Sequence, residues 1–170
     1  MSVSEGAELV QAFRFKVSLT AVAGGPASLG DGYFSECTGL ELEADLKEYL
    51  EGGRNDGVVR RVGRAKLSPI VLKRGMFLPG AGHEADSAFW DWIIGMVQGT
   101  LPIPRYNGLV EVRSPNDQRT VATWSFERAL PSKVVGPALN AKTGEIAVEE
   151  LHLAHERLLL KKPDSQGGSL

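Results

Sequence analysis

The 170-residue sequence lacks several features that would point to a particular chemistry or location. Cys37 is its single cysteine, so neither an internal disulfide nor a cysteine-built zinc site can form. No apolar run reaches the roughly 18 residues of a membrane-spanning helix, and the start lacks the pattern of a signal peptide. The formal net charge of −2 attracts neither nucleic acid nor anionic lipid over the whole chain. We expect synthesis in the cytoplasm and no stable membrane insertion by this chain alone.

The motifs of common enzyme and cofactor sites are missing as well. The segment GGRNDG at 52–57 lacks the lysine and serine or threonine of a phosphate-binding loop, and no helix pattern follows it. There is no GxSxG, HExxH or CxxC motif. His152 and His155 are three residues apart in a segment that alternates like a strand, so they are expected to face opposite sides. The sequence therefore predicts a protein that is not an enzyme and has no cofactor or metal.

Alternation of apolar and polar residues predicts a mainly β (α+β) protein. The predicted strands cover 13–21, 33–37, 40–47, 67–74, 109–113, 120–128 and 145–160. Glu149 and Glu150 mark an expected bulge in the last of these, and 129–140 is predicted to be a connection. The expected fold is an antiparallel sandwich or barrel with one flanking helix, a single domain over 1–160 and a flexible tail over 161–170.

Helical spacing occurs in one segment, EADSAFWDWIIGMVQG. Phe89 and Trp92 lie on its apolar face, which is expected to pack against the strands. Asp86 or Ser87 is the predicted N-cap, and Gly99 is the predicted end of the helix.

Charge changes sign along the middle of the chain. Residues 41–50 carry four acids and one lysine, a local charge of −3, and residues 51–66 carry five basic residues and two acids, a local charge of +3. Two interpretations fit this pattern. The charges are either solvated surface groups of little individual effect, or a basic loop that docks on an acidic surface of the next copy, head to tail.

Several short motifs, in their order and spacing, resemble the tail-tube proteins of contractile-tailed phages and contractile injection systems. They span Phe13 to Glu156 and read FRFKVSL, YFSECTGLELEADLKEYLEGG, LKRG, FWDW, WSFERALPSKVVGPALNA and IAVEELHLAHE. The resemblance implies a subunit of hexameric rings, stacked into a rigid inner tube with a central channel for protein cargo or phage DNA. It also implies that a contracting sheath propels the tube, in a phage tail or a tail-like particle that is released or retained in the cell.

The same resemblance assigns the glycine-rich segment to a loop that contacts neighbouring subunits and the next ring. Its residues are Glu51, Gly52, Gly53, Arg54, Asn55, Asp56, Arg60 and Arg61. The candidates for the channel wall are Glu41, Glu43, Asp45 and Lys47, or alternatively Arg14 and Lys16. The expected partners are further copies of this chain, a sheath protein, baseplate and tube-cap proteins, and the cargo in the channel.

Two rival functions stay open on the sequence. A tube initiator near the baseplate would share the fold and cap one end of the tube. A monomeric ligand-binding β-barrel would instead hold a small molecule in its interior. Long homopolymers would exclude the initiator, whereas a chain that stays monomeric would favour the ligand-binding barrel.

Overall fold

The computed structural model describes residues 9–29, 34–53, 55–78, 84–116 and 118–161. Within these residues it has nine strands and one helix, which confirms the mainly β prediction. In chain order they are β1 Phe15–Ala23, β2 Phe34–Thr38, β3 Leu42–Tyr49, β4 Val59–Leu67, β5 Ile70–Gly75, α1 Ala88–Val97, β6 Arg105–Arg113, β7 Thr120–Val135, β8 Val148–Ala154 and β9 Arg157–Lys161.

Seven strands form one antiparallel sheet that folds into two layers sharing β7. The strand order is β1-β6-β7-β8-β5-β2, and β9 pairs with the first part of β7. We call β1, β6, β7 and β9 the first layer, and β7, β8, β5 and β2 the second layer. Their inward side chains meet in a single core, in which Leu19, Phe126, Leu72 and Leu151 are fully buried. The sandwich prediction is therefore confirmed.

Strand β7 is longer than the sequence predicted, because residues 129–135 continue the strand instead of forming a connection. The strand passes from one layer to the other through Arg128, whose φ of 53° is rarely adopted by a residue with a side chain. Pro131 lies at a register shift between β7 and β8, where the ladder tolerates a residue that cannot donate a hydrogen bond. The proline and the irregular pairing interrupt the alternation of a strand, and this explains why a connection was predicted for residues 129–135.

The bulge expected near Glu149 and Glu150 is absent from the described β8 ladder. Strand β8 pairs with β5 in unbroken register from Val148 to Leu153. Glu149 occupies an inward position in phase with Leu151 and Leu153, and it is buried. A buried charge at an inward position breaks the apolar alternation without breaking the strand. The actual break follows Ala154, before β9 begins.

The helix packs on the sandwich as predicted. Phe89 and Trp92 are buried, and the Trp92 indole Nε1 donates a hydrogen bond to the Pro104 carbonyl at 2.9 Å. Gly99 has a φ of 74° just beyond the last turn, which confirms the predicted end. Ser87 is the N-cap residue, but its hydroxyl bonds to Asp91 at 2.7 Å rather than to the backbone.

We expect Trp92→Ala to lower the free energy of unfolding by about 3–5 kcal/mol, because it removes a buried indole and its hydrogen bond. Urea denaturation followed by circular dichroism measures the loss. Val97→Ala on the same helix is the matched control, since Val97 is exposed and its truncation is expected to change stability by less than about 0.5 kcal/mol. Equal unfolding curves for the two variants would contradict the buried role of Trp92.

Candidate interface between subunits

Strands β3 and β4 form a separate two-stranded hairpin, which we call the arm (residues 42–67). They pair with each other from Leu42↔Leu67 to Tyr49↔Val59 and belong to neither layer of the sandwich. The sequence predicted a loop as far as residue 66, and this is wrong, since β4 covers Val59–Leu67. The run VRRVGRAKL has several basic residues and a glycine, which conceal the alternation of a strand.

The arm joins the second layer through a tightly packed root. Gly39, which follows β2, has a φ of 84° and lies against the Pro69 carbonyl. The Ser68 hydroxyl donates to a Glu41 carboxylate oxygen at 2.9 Å, and the His155 Nε2 lies 3.1 Å from the Ser68 carbonyl oxygen. The arm thus extends from the end of β2 and the start of β5, and contacts between its two connecting segments hold its root in place.

One face of the arm carries charged and aromatic side chains that contact each other. The Lys66 Nζ lies 3.9 Å from carboxylate oxygens of both Glu43 and Asp45. The Arg61 guanidinium stacks over the Tyr49 ring, with its central carbon 5.0 Å from the ring centroid. Because these groups are largely exposed, each ion pair contributes at most about 1 kcal/mol.

The acidic and basic segments of the sequence therefore face each other within one subunit. Near the tip, the Arg60 Nε bonds to a Glu48 carboxylate oxygen at 3.1 Å. The opposite charges at 41–50 and 51–66 largely compensate one another across the hairpin. The hypothesis of a basic loop that docks by charge does not account for this pairing, because several of the charges already have partners.

The other face of the arm carries exposed apolar side chains, with the Glu48–Arg60 pair on the same face at the tip. Leu42 is 64% exposed, Leu46 is 54% exposed and Val62 is 79% exposed. The pairs Ala44↔Ala65 and Leu46↔Val62 lie on either side of a bulge, which keeps these positions on one face although β4 has an extra residue. We call this surface the apolar stripe, formed by Leu42, Ala44, Leu46, Val62 and Ala65.

The arm also contains most of the contact residues that the sequence predicted. Five exposed residues lie in the connection between the strands: Glu51, Gly52, Gly53, Asn55 and Asp56. Arg60 and Arg61 lie on β4, and Arg54 is outside the described residues. No sequence pattern identifies the apolar stripe as an exposed surface, because leucine alternating with acids also predicts an ordinary half-buried strand.

The candidates for the channel wall lie on the arm or at its root rather than on the two layers. Glu43, Asp45 and Lys47 belong to β3, and Glu41 precedes it. Of the alternative candidates, Lys16 lies on β1, in register with Glu111 of β6, and Arg14 directly precedes that strand. A role of either group in a channel stays a prediction.

The outer face of the second layer also carries charges that are paired within the subunit. The Lys73 Nζ lies 3.2 Å from a Glu36 carboxylate oxygen and 3.7 Å from one of Glu150. The hydrogen bond to Glu36 raises the pKa of Lys73 above its usual value. His152 lies beside Glu150, with 3.3 Å between its Nε2 and the carboxylate. The charged side chains named on this face therefore have partners within the subunit.

Cys37 is a structural thiol on β2, partly buried against the core. Burial raises the pKa of this thiol to about 11, because the apolar surroundings disfavour the thiolate. The thiolate is the nucleophile, so the folded protein holds almost none of the reactive form at pH 8.

We expect Cys37 in the folded subunit to react slowly with iodoacetamide at pH 8, and to react many times faster in urea. The folded rate should rise as the pH approaches 11, because the thiol then ionises. Mass spectrometry of timed samples measures both rates. Equal rates in the folded and unfolded protein would show that the thiol is freely accessible.

The described residues contain no group of three or more histidine, cysteine or acidic side chains arranged to hold a metal ion. A cavity of about 780 Å³ lies on the surface, between residues 9–11 and the β6–β7 turn. The one helix among the described residues, α1, is not long and apolar enough to cross a membrane.

The chain combines a two-layer sandwich, a flanking helix and an arm with exposed apolar side chains. These features are typical of a subunit that contacts other protein chains. Residues 11–159 match the family of the T4-like virus tail tube protein gp19, and the chain belongs to that family. The resemblance stated from the sequence motifs is thereby confirmed. The chain is a structural tail-tube protein, and family membership agrees with the prediction that it is not an enzyme.

Several solved structures share this fold. The PVC sheath-tube complex of an extracellular contractile injection system has a chain 22% identical to this one, with a TM-score of 0.72 over 95% of this chain and 98% of that one. A chain of the anti-feeding prophage cap is also 22% identical, with a TM-score of 0.73 over 96% and 100%. A type six secretion system protein is 14% identical, with a TM-score of 0.53 over 88% and 83%. Comparison with curated proteins gives no significant match.

Proposed function

We propose that this chain forms hexameric rings that stack into the rigid inner tube of a contractile injection system or phage tail. The observation that carries the proposal is the arm, which presents exposed apolar side chains on a hairpin separate from the sandwich. A two-stranded hairpin is marginally stable by itself in water, so contact with another copy would stabilise it. The contact segment of the proposal contains Glu51, Gly52, Gly53, Arg54, Asn55, Asp56, Arg60 and Arg61.

The layers supply further surfaces for assembly. Within the described sheet, β1, β9 and β2 each pair with a single strand of the layers. Sheet edges carry backbone groups that can pair with another chain. Neighbouring subunits that complete these edges would give a continuous wall around a central channel. Glu41, Glu43, Asp45 and Lys47 are the proposed channel-facing residues, with Arg14 and Lys16 as the alternative.

The proposed partners follow from the particles in which similar folds occur. The related structures are described as a sheath-tube complex, a tube terminating cap and a baseplate. By analogy, we assign this chain a sheath that surrounds and propels the tube, a cap at one end and a baseplate at the other. Protein cargo or phage DNA would pass through the channel. The subunit would be made in the cytoplasm and join a phage tail or tail-like particle.

Negative-stain electron microscopy of the purified chain, over a range of protein concentrations, tests this proposal. We expect hollow rings or tubes of uniform width. The matched control is Leu46→Asp/Val62→Asp, which places two charges on the apolar stripe and should leave monomers with an unchanged circular dichroism spectrum. Single rings that never stack would favour the tube initiator. Monomers of the unsubstituted chain at every concentration would contradict the proposal.

A further inference from the structure

The turn between β8 and β9, formed by His155 and Glu156, contacts both the first layer and the root of the arm. Glu156 fixes the turn to the first layer, because its two carboxylate oxygens accept hydrogen bonds from Arg105 Nη1 and Arg128 Nε, each at 2.9 Å. The Glu156 amide also donates to the Glu127 carbonyl oxygen at 3.1 Å. The turn is therefore held in place independently of the arm.

The imidazole of His155 lies between two backbone carbonyl groups. Its Nδ1 is 3.2 Å from the Arg157 carbonyl oxygen, and its Nε2 is 3.1 Å from the Ser68 carbonyl oxygen at the root of the arm. The ring is half-buried and packs against Phe126 of the core, with 5.9 Å between the ring centroids. Carbonyl oxygens only accept hydrogen bonds, so both ring nitrogens must carry a proton for both bonds to form.

The two protonation states of the ring therefore differ in their contacts. A charged imidazole has two N–H groups, whereas a neutral imidazole has one, so only the charged ring can bond to Arg157 and Ser68 together. The bond to Arg157 joins residues 2 apart in the chain, and the bond to Ser68 joins residues 87 apart. Because the local bond orders less of the chain, the neutral ring is expected to keep its proton on Nδ1 and to lose the bond to Ser68.

The acidic groups on the elements around this imidazole have partners of their own. Glu156, on the same turn, is bonded to the two arginines of the first layer. On β7, a Glu127 carboxylate oxygen lies 3.8 Å from Arg157 Nη1, and on the side of the arm, Glu41 accepts a hydrogen bond from the Ser68 hydroxyl. The contacts that distinguish the two forms of the ring are therefore those with the two carbonyl oxygens.

We propose that the charge of His155 decides whether the root of the arm is bonded to the first layer. The charged ring holds the Ser68 carbonyl group, and the neutral ring releases it. Histidine is the side chain whose charge ordinarily changes between about pH 5 and 8. The bond is therefore made at the acidic end of this range and lost at the alkaline end. This switch operates within one subunit, so it goes beyond the proposed function and does not depend on it.

Hydrogen–deuterium exchange followed by mass spectrometry tests the switch at about pH 5.5 and 8, with labelling times scaled to the intrinsic exchange rate at each pH. In the unsubstituted chain, the amides of the arm should be several-fold better protected at the lower pH. His155→Gln removes the ionisable ring, so this difference should disappear. His152→Gln is the matched control, because His152 lies beside Glu150 on the outer face of the second layer, and it should behave like the unsubstituted chain.

Comparison of the three chains separates the switch from assembly. Contacts between copies would protect the arm in all three chains alike, and sedimentation of the same samples shows whether copies associate. Absence of association would count against the proposed function and leave the switch standing. A His155→Gln chain that keeps the pH dependence would overturn the inference. An unsubstituted chain whose arm is equally protected at both pH values, or better protected at pH 8, would overturn it too.

Nitrogen-15 NMR of the imidazole gives a second readout, with the His155 signals assigned by their absence from the His155→Gln chain. We expect a charged ring at about pH 5.5 and a neutral ring with its proton on Nδ1 at about pH 8. A neutral ring with its proton on Nε2 would still bond to Ser68, and this result would overturn the release of the arm.

Discussion

Arg74→Ala is expected to lower the free energy of unfolding by about 3–5 kcal/mol, because it leaves a carboxylate buried without its partner. Arg74 is fully buried, and Glu149 is 1% exposed. The Arg74 Nε bonds to Glu149 at 2.7 Å, and its Nη2 bonds to Asp86 at 2.6 Å. The guanidinium also stacks over the Phe89 ring, 3.8 Å from the centroid. The substitution would therefore disturb both the second layer and the segment that leads into the helix.

The control for this prediction replaces the ion pair by apolar groups. Arg74→Met/Glu149→Leu should recover most of this loss, because it removes both fully buried charges and leaves only the partly exposed Asp86 without its partner. The pair is incompletely satisfied, since Arg74 Nη1 and Glu149 Oε2 have no hydrogen-bond partner among the described residues. Urea denaturation of the single and double variants measures the difference. A double variant as unstable as Arg74→Ala would mean that the ion pair itself is required.

Gly39→Ala is expected to lower the free energy of unfolding by about 2–5 kcal/mol, from backbone strain together with a collision. Gly39 has a φ of 84°, a conformation that side chains disfavour. A Cβ at this position would lie 2.0 Å from the Pro69 carbonyl oxygen and 2.9 Å from its carbon. Because these are backbone atoms at the root of the arm, the chain itself would have to move.

Gly53→Ala separates the contribution of backbone strain from that of the collision. Gly53 also has a positive φ, 92°, but a Cβ there would meet nothing within 4 Å. This variant carries the conformational strain without the collision, so we expect a loss of at most about 1–2 kcal/mol. Thermal unfolding of both variants, together with electron microscopy, shows whether the root of the arm must keep its path for assembly. Equal losses would mean that the contact with Pro69 contributes nothing.

Much of the sandwich could be predicted from the sequence because its strands alternate between the core and solvent. Phe15, Val17 and Leu19 of β1 show this directly, and the helix follows from the spacing of Phe89 and Trp92. The prediction was wrong where a buried position holds a charged residue, because charged residues are usually expected at the surface. Glu149 is the clearest case, because its partner Arg74 is distant in sequence, and no local pattern connects the two.

The glycines and the family motifs indicate the position of the candidate interface in the sequence. They do not indicate which of its surfaces are charged and which are apolar. The sequence shows the charge of 41–66 and cannot show that Glu48 and Arg60, for example, face each other. That pairing depends on the register of β3 and β4 and on the bulge between Ala44 and Leu46. Once the register is known, the exposed apolar stripe is evident, and several of the opposite charges of the arm are paired with each other within one subunit.

The bulge in the arm affects how free subunits would aggregate before assembly. An exposed hairpin with an apolar face and open edges is a template for fibrous aggregation. At the bulge, Gly63 faces Asp45, and a Cβ there would lie 2.7 Å from the Asp45 carbonyl oxygen, so a larger residue would disturb it. A bulge bends and twists a hairpin, which prevents flat stacking of one arm on another. The bulge would thus keep free subunits at high concentration from aggregating until they add to the end of a growing assembly.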